Sequence, residues 1–327
     1  MGKIDGFLNY FNMIFSNTNI KNRVIIAIKS FDMFYWINKK HLMQQEYFQY
    51  EFAYKKKKEK NQYVRDWEVL NVVGPRFNSK TVYELLDDKY RFNEMFRDLI
   101  GREYCYIGEN DYALFYDFSK KHKRVMLKPN NMNGGNGITK FDTESIEPKA
   151  LFDVVCSMNT KILLEEVLDQ NEKMESICPD TVNTIRIISM CDSDGTVHMP
   201  MASIRVGRKG KCVDNFCAGG MVASIDVDSG VVSSAAYDKF CERYSNHPDT
   251  GVKFEGFEIP NWKIVLNTVK EAANRIPDAR YVGWDIAIKR DNSIAIIEAN
   301  ARPEARLHQL PIGKGLRSVY VKYLGKF

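Results

Sequence analysis

The feature that most constrains this chain is a late pair of short apolar runs, YVGWDIAI and SIAIIEAN, joined by the turn Arg290-Asp291-Asn292-Ser293. Each run has strand length. Two strands folding back on that turn pair antiparallel, which brings Asp285 beside Glu298 and Asn300. Two carboxylates and a carboxamide oxygen on one spot make a hard-oxygen site. Such a site suits Mg²⁺ already carrying nucleotide phosphates. The competing reading is two surface acids on a hairpin.

Sequence length and composition allow such a site a substantial host. At 327 residues the chain can form two or three packed lobes. Its hydrophobic and charged fractions, 44% and 27%, are those of an ordinary folded protein rather than a disordered one. No apolar run reaches the roughly 20 residues of a membrane helix, and no secretory signal peptide is expected. Seven scattered cysteines, an odd number with no CxxC, argue against a disulfide framework and for a reducing cytoplasm. Cys212 and Cys217 have no histidine at zinc spacing. The net charge of +5 is uneven, because residues 1–80 carry +7 and the remainder −2.

The chain divides into four stretches by pattern. Residues 1–60 form an aromatic and basic arm. Within it SFDMFYWINKKHLMQQEYFQYEFAY reads as one helix, with the Lys55–Lys60 run as its solvated end. That arm is expected to pack on the body or on another protein, or to lie on an anionic membrane surface. Residues 61–122 read as a small mixed lobe, with helical spacing over SKTVYELLDDKYRFNEMFRDLI and Ser79 or Thr81 as its cap. Residues 123–170 read strand, glycine loop, strand, helix, strand. Residues 171–327 turn strongly β, with an amphipathic helix over IPNWKIVLNTVKEAANRI and the acidic hairpin after it. Strands in runs with occasional helices give an α+β class.

The glycine loop is Lys128-Pro129-Asn130-Asn131-Met132-Asn133-Gly134-Gly135-Asn136-Gly137. Gly134, Gly135 and Gly137 let backbone N–H groups turn toward a polyphosphate with no Cβ in the way. Lys128, at the end of the preceding strand, can bring an ammonium to the same phosphates. No GK[ST] follows, so this is not a Walker loop. Arg186 and Arg205 lie on neighbouring expected strands. Arginines on the inner face of a sheet are costly unless they meet an anion, either a ligand or a structural ion-pair partner.

Phosphate loop, β-rich middle and carboxylate hairpin, in that order, resemble the ATP-grasp superfamily. KPNNMNGGNGI looks like its phosphate-covering loop, KILLEEVL like its interlobe hinge strand, and DIAI…IIEAN like its metal pair. ESICPDTVNTIRIISM, ASIRVGRKG, VDNFCAGGMVASIDVDSG and HPDTGVKFEGFEIPNW resemble the group associated with sugar transfer and surface polysaccharide genes. The resemblance covers about residues 80–315. It implies two α+β lobes clasping ATP, with the arm outside the pattern.

It also implies roles. Lys89 and Lys128 reach the nucleotide phosphates, although Lys89 also reads as an exposed helix lysine. Glu165, Glu166 and Val167 sit where the hinge meets adenine and ribose, with the glutamate that faces the nucleotide left open. Asp285, Glu298 and Asn300 hold Mg²⁺. Arg205 lies beside the transferring phosphate, Asn215 with Gly219 and Gly220 lines the acceptor pocket, and Arg302 contacts phosphate or an anionic substrate. The implied reaction is ATP-dependent joining of a carboxylate to an amine through an acyl phosphate. The carboxylate is a small molecule or is linked to a glycan, and the amine is an amine or amino-acid co-substrate. A small-molecule kinase and a non-catalytic nucleotide-binding scaffold are the rivals. Nucleic-acid binding is not expected, because the lysine run follows no RNA-binding motif. The expected location is cytoplasmic, with the arm offering a peripheral contact to the inner membrane surface or a protein.

Overall fold

The computed structural model describes residues 20–108, 111–130, 137–157, 161–211 and 214–327, with side chains from residue 28 onward. Two antiparallel sheets dominate. The smaller has four strands in the order β1-β4-β2-β3: β1 (Tyr104–Ile107), β2 (Arg124–Pro129), β3 (Thr139–Asp142) and β4 (Ile162–Glu166). The larger has seven in the order β11-β10-β5-β6-β7-β8-β9. Its central strands are β5 (Thr184–Cys191), β6 (Val197–Val206), β7 (Met221–Ile225), β10 (Tyr281–Ile288) and β11 (Ile294–Asn300), with two-residue edge strands β8 (Ala236–Tyr237) and β9 (Arg243–Tyr244).

The small sheet is built by alternation. In β2, Val125, Leu127 and Pro129 are buried. Val125 and Leu127 meet Phe115 and Phe118 of helix Tyr112–Lys121 and Phe152 and Val155 of helix Pro148–Ser157. Met126 and Lys128 therefore point to the other face, toward the large sheet. β1 joins this sheet through β4, although it lies ahead of residue 123 in the chain.

The large sheet is covered on both faces. On one, Ile185, Ile187, Ala202, Ile204, Trp284 and Ile286 pack against helix Trp262–Asn274, which presents Val265, Val269 and Ala272 at helical spacing. On the other, Ile188, Met190 and Tyr281 sit under Val64, Val69, Val73 and Tyr320. The same face, two residues further along β5, carries Arg186. One strand face is thus apolar under the N-terminal segment and charged where it enters the cleft.

The helix expected over SKTVYELLDDKYRFNEMFRDLI is two, Lys80–Leu86 and Lys89–Met95. Asp87 ends the first, and Asp88 caps the second, accepting from the backbone N–H groups of Tyr90 and Arg91. Ser79 holds the N-cap position of the first, but its side chain makes no capping bond. Val82, Leu86, Phe92 and Phe96 pack into the core of the large sheet.

The arm also departs from its expected form. Helix Ile20–Lys40 stops at His41, whose φ is +54°, and a new helix starts at Gln44. Burial drives the break: Leu42 turns into an aromatic cluster with Trp36, Tyr47 and Phe52, while His41 stacks on Trp67 at 4.3 Å. Lys60 is not solvated. It is 6% exposed and pairs with Asp32.

The segment is then knotted to the body. The Gln309 side chain accepts from Val64 N at 2.9 Å and Leu316 N at 3.0 Å, and donates to Val64 O and the Tyr50 hydroxyl. The Asp66 carboxylate accepts from Ala305 N at 2.9 Å and pairs with Arg306. Among the described residues no helix is long and apolar enough to cross a membrane.

Candidate active site

The acidic hairpin forms as an antiparallel pair. Asp285 lies opposite Glu298 and Gly283 opposite Asn300. Gly283 is needed there, since a Cβ would come within 2.5 Å of Pro303 and 3.2 Å of Arg186. Between Asp285 and Ile286 the register slips by one residue, leaving Ile297 as a bulge. The bulge turns both Ile297 and Glu298 into the space between the lobes.

That space is a cavity with about 830 Å³ of empty volume, continuous with solvent. Met126, Lys128, Ile138 and the strand-to-linker residues Glu165, Glu166, Val167 and Leu168 line it from the small lobe. Val182, Thr184, Arg205, Asp214, Asn215, Ile297 and Glu298 line it from the large one. The apolar members form a slot, and the charged members gather at one end.

At that end Lys128 pairs with Glu165 at 2.5 Å, and Arg102 with the same carboxylate at 2.7 Å. Burial pushes Glu165 upward, but the two cations outweigh it and hold the carboxyl far below the usual range. Glu165 is therefore the buried counterion of Lys128 and Arg102. Glu166 is half-buried and accepts from Glu103 N. Lys89, at the start of its helix, donates to Asn130 O at 3.2 Å, which ties that helix to the entry of the glycine loop. Burial lowers its pKa, and the Lys128 charge adds to that against the pull of Glu298. Gly137 takes φ of +72°; Gly134 and Gly135 lie outside the described residues.

Arg186 and Arg205 do meet an anion, and in this structure it is Asp285. Arg186 grips both oxygens of its carboxylate, and Arg205 adds a contact at 3.0 Å. Arg205 also bonds Thr184 and Asp214. Asp285 is wholly buried. Burial pushes its carboxyl up, yet the guanidiniums prevail and hold it at about 2. Glu298 opens onto the cleft, where desolvation and then the Asp285 charge push its carboxyl upward. Asn300 donates to Glu298 at 3.4 Å.

These donors fit a divalent cation. They are hard oxygens, and Glu298 carries a repulsion that a cation would relieve. Direct ligation by Asp285 would require an arginine to turn away. Among the described residues no three His, Cys, Asp or Glu side chains converge on one point, so the set is two carboxylates and an amide.

A second chamber of about 1360 Å³ empty volume adjoins the first and shares Arg205, Asn215 and Glu298 with it. Arg302 lines this chamber and not the first, where it pairs with Asp87 and lies over the Tyr83 ring. Arg186 and Asn300 also face it. Asn215 stands at the junction, with its Oδ1 fixed by Cys217 N at 2.8 Å.

Two residues were missed by sequence reasoning. Asp214 accepts from Thr184 N at 3.0 Å and braces Arg205. Arg102 joins Glu165 to the bulge by donating to Ile296 O at 2.8 Å and Ile297 O at 3.0 Å. Its partners lie far along the chain, so no local pattern marks it.

His308 lies deeper, 3% exposed, and among the described residues both ring nitrogens lack a hydrogen-bond partner. Burial and then the Arg186 charge hold its pKa down at about 3. The unfolded chain takes up that proton near pH 6.5, the fold only near pH 3. Its contribution is therefore fully present above pH 6.5 and falls as pH drops toward 3, by at most about 1.4 kcal/mol per pH unit. Thermal melts should show a shallower loss between pH 6.5 and 4 for His308→Gln than for the wild type. Parallel profiles would contradict this.

The sugar-transfer associated ATP-grasp family matches residues 73–323. The chain belongs to that family. Its ATP-grasp fold, with α+β lobes around a cleft, is the architecture described above. No curated protein matches significantly. Among solved structures, the chain is similar to the ATP-grasp ligase PsnB in complex with its minimal precursor, Mg and ADP. The identity is 16%, 72% of this chain and 56% of that one are covered, and the TM-score is 0.44. It is also similar to an L-amino acid ligase from Bacillus licheniformis, with 15% identity, 68% and 42% coverage and a TM-score of 0.42. D-alanine–D-alanine ligase from Bacillus anthracis gives 11%, 75%, 66% and 0.43. The chain spans little more than half the length of PsnB. The Met43, Asp66 and Leu70 side chains of the second chamber precede the family match.

Proposed function

We propose that this protein is an ATP-dependent carboxylate–amine ligase. The observation that carries the reading is the junction of two cavities at Arg205, Asn215 and Glu298, one suited to a nucleotide and one open to further reactants. ATP would place its base in the slot beside Val167 and Ile297 and its phosphates toward Lys89 and Lys128. Mg²⁺, when bound at Glu298 and Asn300 with Asp285 behind them, supplies neutralisation of phosphate charge.

A substrate carboxylate oxygen, approaching from the second chamber, attacks the γ-phosphorus. The bond to the β-bridging oxygen breaks, leaving ADP and an acyl phosphate. An amine nitrogen then attacks the acyl carbon, phosphate leaves, and the ammonium proton passes to that phosphate or to solvent. Lys128 and Lys89 hold charge in place for the first step. Arg205 steadies the oxyanion of the second. Asn215 orients the acceptor at the junction.

For substrates, the family's association supports a sugar acid of a surface polysaccharide, or its precursor, joined to an amine or amino acid. The setting that fits is the reducing cytoplasm. Residues 1–60 would carry the peripheral contact to a membrane surface or a protein, because Ile28, Phe31 and Phe34 stand exposed on helix Ile20–Lys40.

The test is a screen of sugar acids and amino acids for Mg-dependent phosphate release from ATP, with hydroxylamine as trap. A ligase yields hydroxamate with its carboxylate. A small-molecule kinase consumes ATP without hydroxamate, and a scaffold consumes none. Either of the last two outcomes ends the ligase reading.

A further inference from the structure

The second chamber has a wall that the family match does not include. Met43, Asp66 and Leu70 form it, facing Phe216, Ala218 and Leu307. Met43 and Leu70 are 39% and 43% exposed. They stand there because the segment behind them is fixed. Met43 N donates to Glu46 Oε2 at 2.9 Å, and the other Glu46 oxygen accepts from Asp66 N at 2.8 Å. Glu46 is wholly buried and Asp66 nearly so. Asp66 in turn holds the backbone of Ala305 and Arg306, the stretch that follows the acidic hairpin. Leu70 rides on a π-helical turn, Val69–Val73, a form that often marks functional sites.

The chamber therefore carries Arg186, Arg205, Glu298 and Asn300 toward the end that it shares with the first cavity, its floor, and Met43 and Leu70 on an exposed rim beside Arg302 and Glu304. We infer that Met43 and Leu70 select a carboxylate substrate that is amphipathic, with its reacting carboxylate at the floor and an apolar segment against the rim. This inference rests on the ligase reading for the placement of the carboxylate. The chamber's continuity with the nucleotide cavity argues for a substrate there.

The experiment compares N-octanoylglycine with N-acetylglycine, two carboxylates that differ only in apolar length. Binding to the full chain is measured by calorimetry with a non-hydrolysable ATP analogue present. The wild type should bind N-octanoylglycine on the order of 10-fold more tightly, the gain from removing about two methylene groups from water. In Met43→Ser/Leu70→Ser that preference should fall below about 3-fold. The analogue's own affinity should stay unchanged, since neither residue lines its cavity.

Equal binding of the two probes by the wild type overturns the inference, as does no binding of either. A preference that survives in the double variant overturns it too. Failure of the ligase reading looks different: the analogue does not bind, or no carboxylate gives hydroxamate, whatever the rim prefers. The melting temperature of the variant separates a lost rim from a lost fold.

Discussion

Arg102→Met is expected to cost about 3–5 kcal/mol of stability, the usual loss when one partner of a buried pair is removed. Chemical denaturation would read this as a shift in midpoint with little change in slope. The Arg102 and Glu165 side chains are 2% and 3% exposed. Arg102 also donates to the carbonyls of Ile100, Ile296 and Ile297. Without it, three carbonyls lose a donor, and among the described residues Glu165 keeps Lys128 and Asn93. Lys128 is then the main counterion of a buried carboxylate and is less available to phosphates. ATP affinity should therefore fall along with stability. Arg102→Lys should recover little, because one ammonium cannot serve a carboxylate and three carbonyls in a fixed fork. Adding Glu165→Gln to Arg102→Met should recover part of the loss by removing the orphaned charge. Additive losses in the double variant would mean that the two residues are not coupled.

Much of this site was legible because its elements obey local periodicity. The hairpin of β10 and β11 could be read from two short apolar runs and a turn. The small sheet could be read because β2 and β4 flank a glycine loop and a helix of clear spacing. What stayed hidden depends on distant partners. The bulge at Ile297 has no sequence signal, yet it aims Glu298 into the cleft. The break at His41 follows from burial of Leu42 in a cluster that includes Tyr63, twenty-odd residues away in the chain. The inner-face arginines correctly demanded an anion, but sequence could not say that Asp285 itself meets them. For the same reason the sequence left open whether the arm packs on the body, on another protein or on a membrane, although Tyr50 is tied to Gln309, 259 residues away.

The two acids of the hairpin, alike in sequence, should separate under mutation. Glu298→Gln is expected to lower Mg-dependent phosphate release from ATP by about 10³-fold, the scale of losing several kcal/mol of metal-assisted charge stabilisation. Its melting temperature should hold or rise. Glu298 opens to the cleft, and its carboxylate is opposed by that of Asp285, so the amide removes a repulsion. Asp285→Asn should lose both properties. Its carboxylate is the shared counterion of Arg186 and Arg205, whose side chains are 6% and 12% exposed. An amide there leaves Arg205 with Asp214 and leaves Arg186 without its anion, a loss of about 3 kcal/mol or more. Parallel thermal melts and phosphate-release assays of the two variants decide the matter. A Glu298→Gln protein with full turnover would remove it from the metal site. An Asp285→Asn protein as stable as the wild type would show that the arginines have another anion in solution.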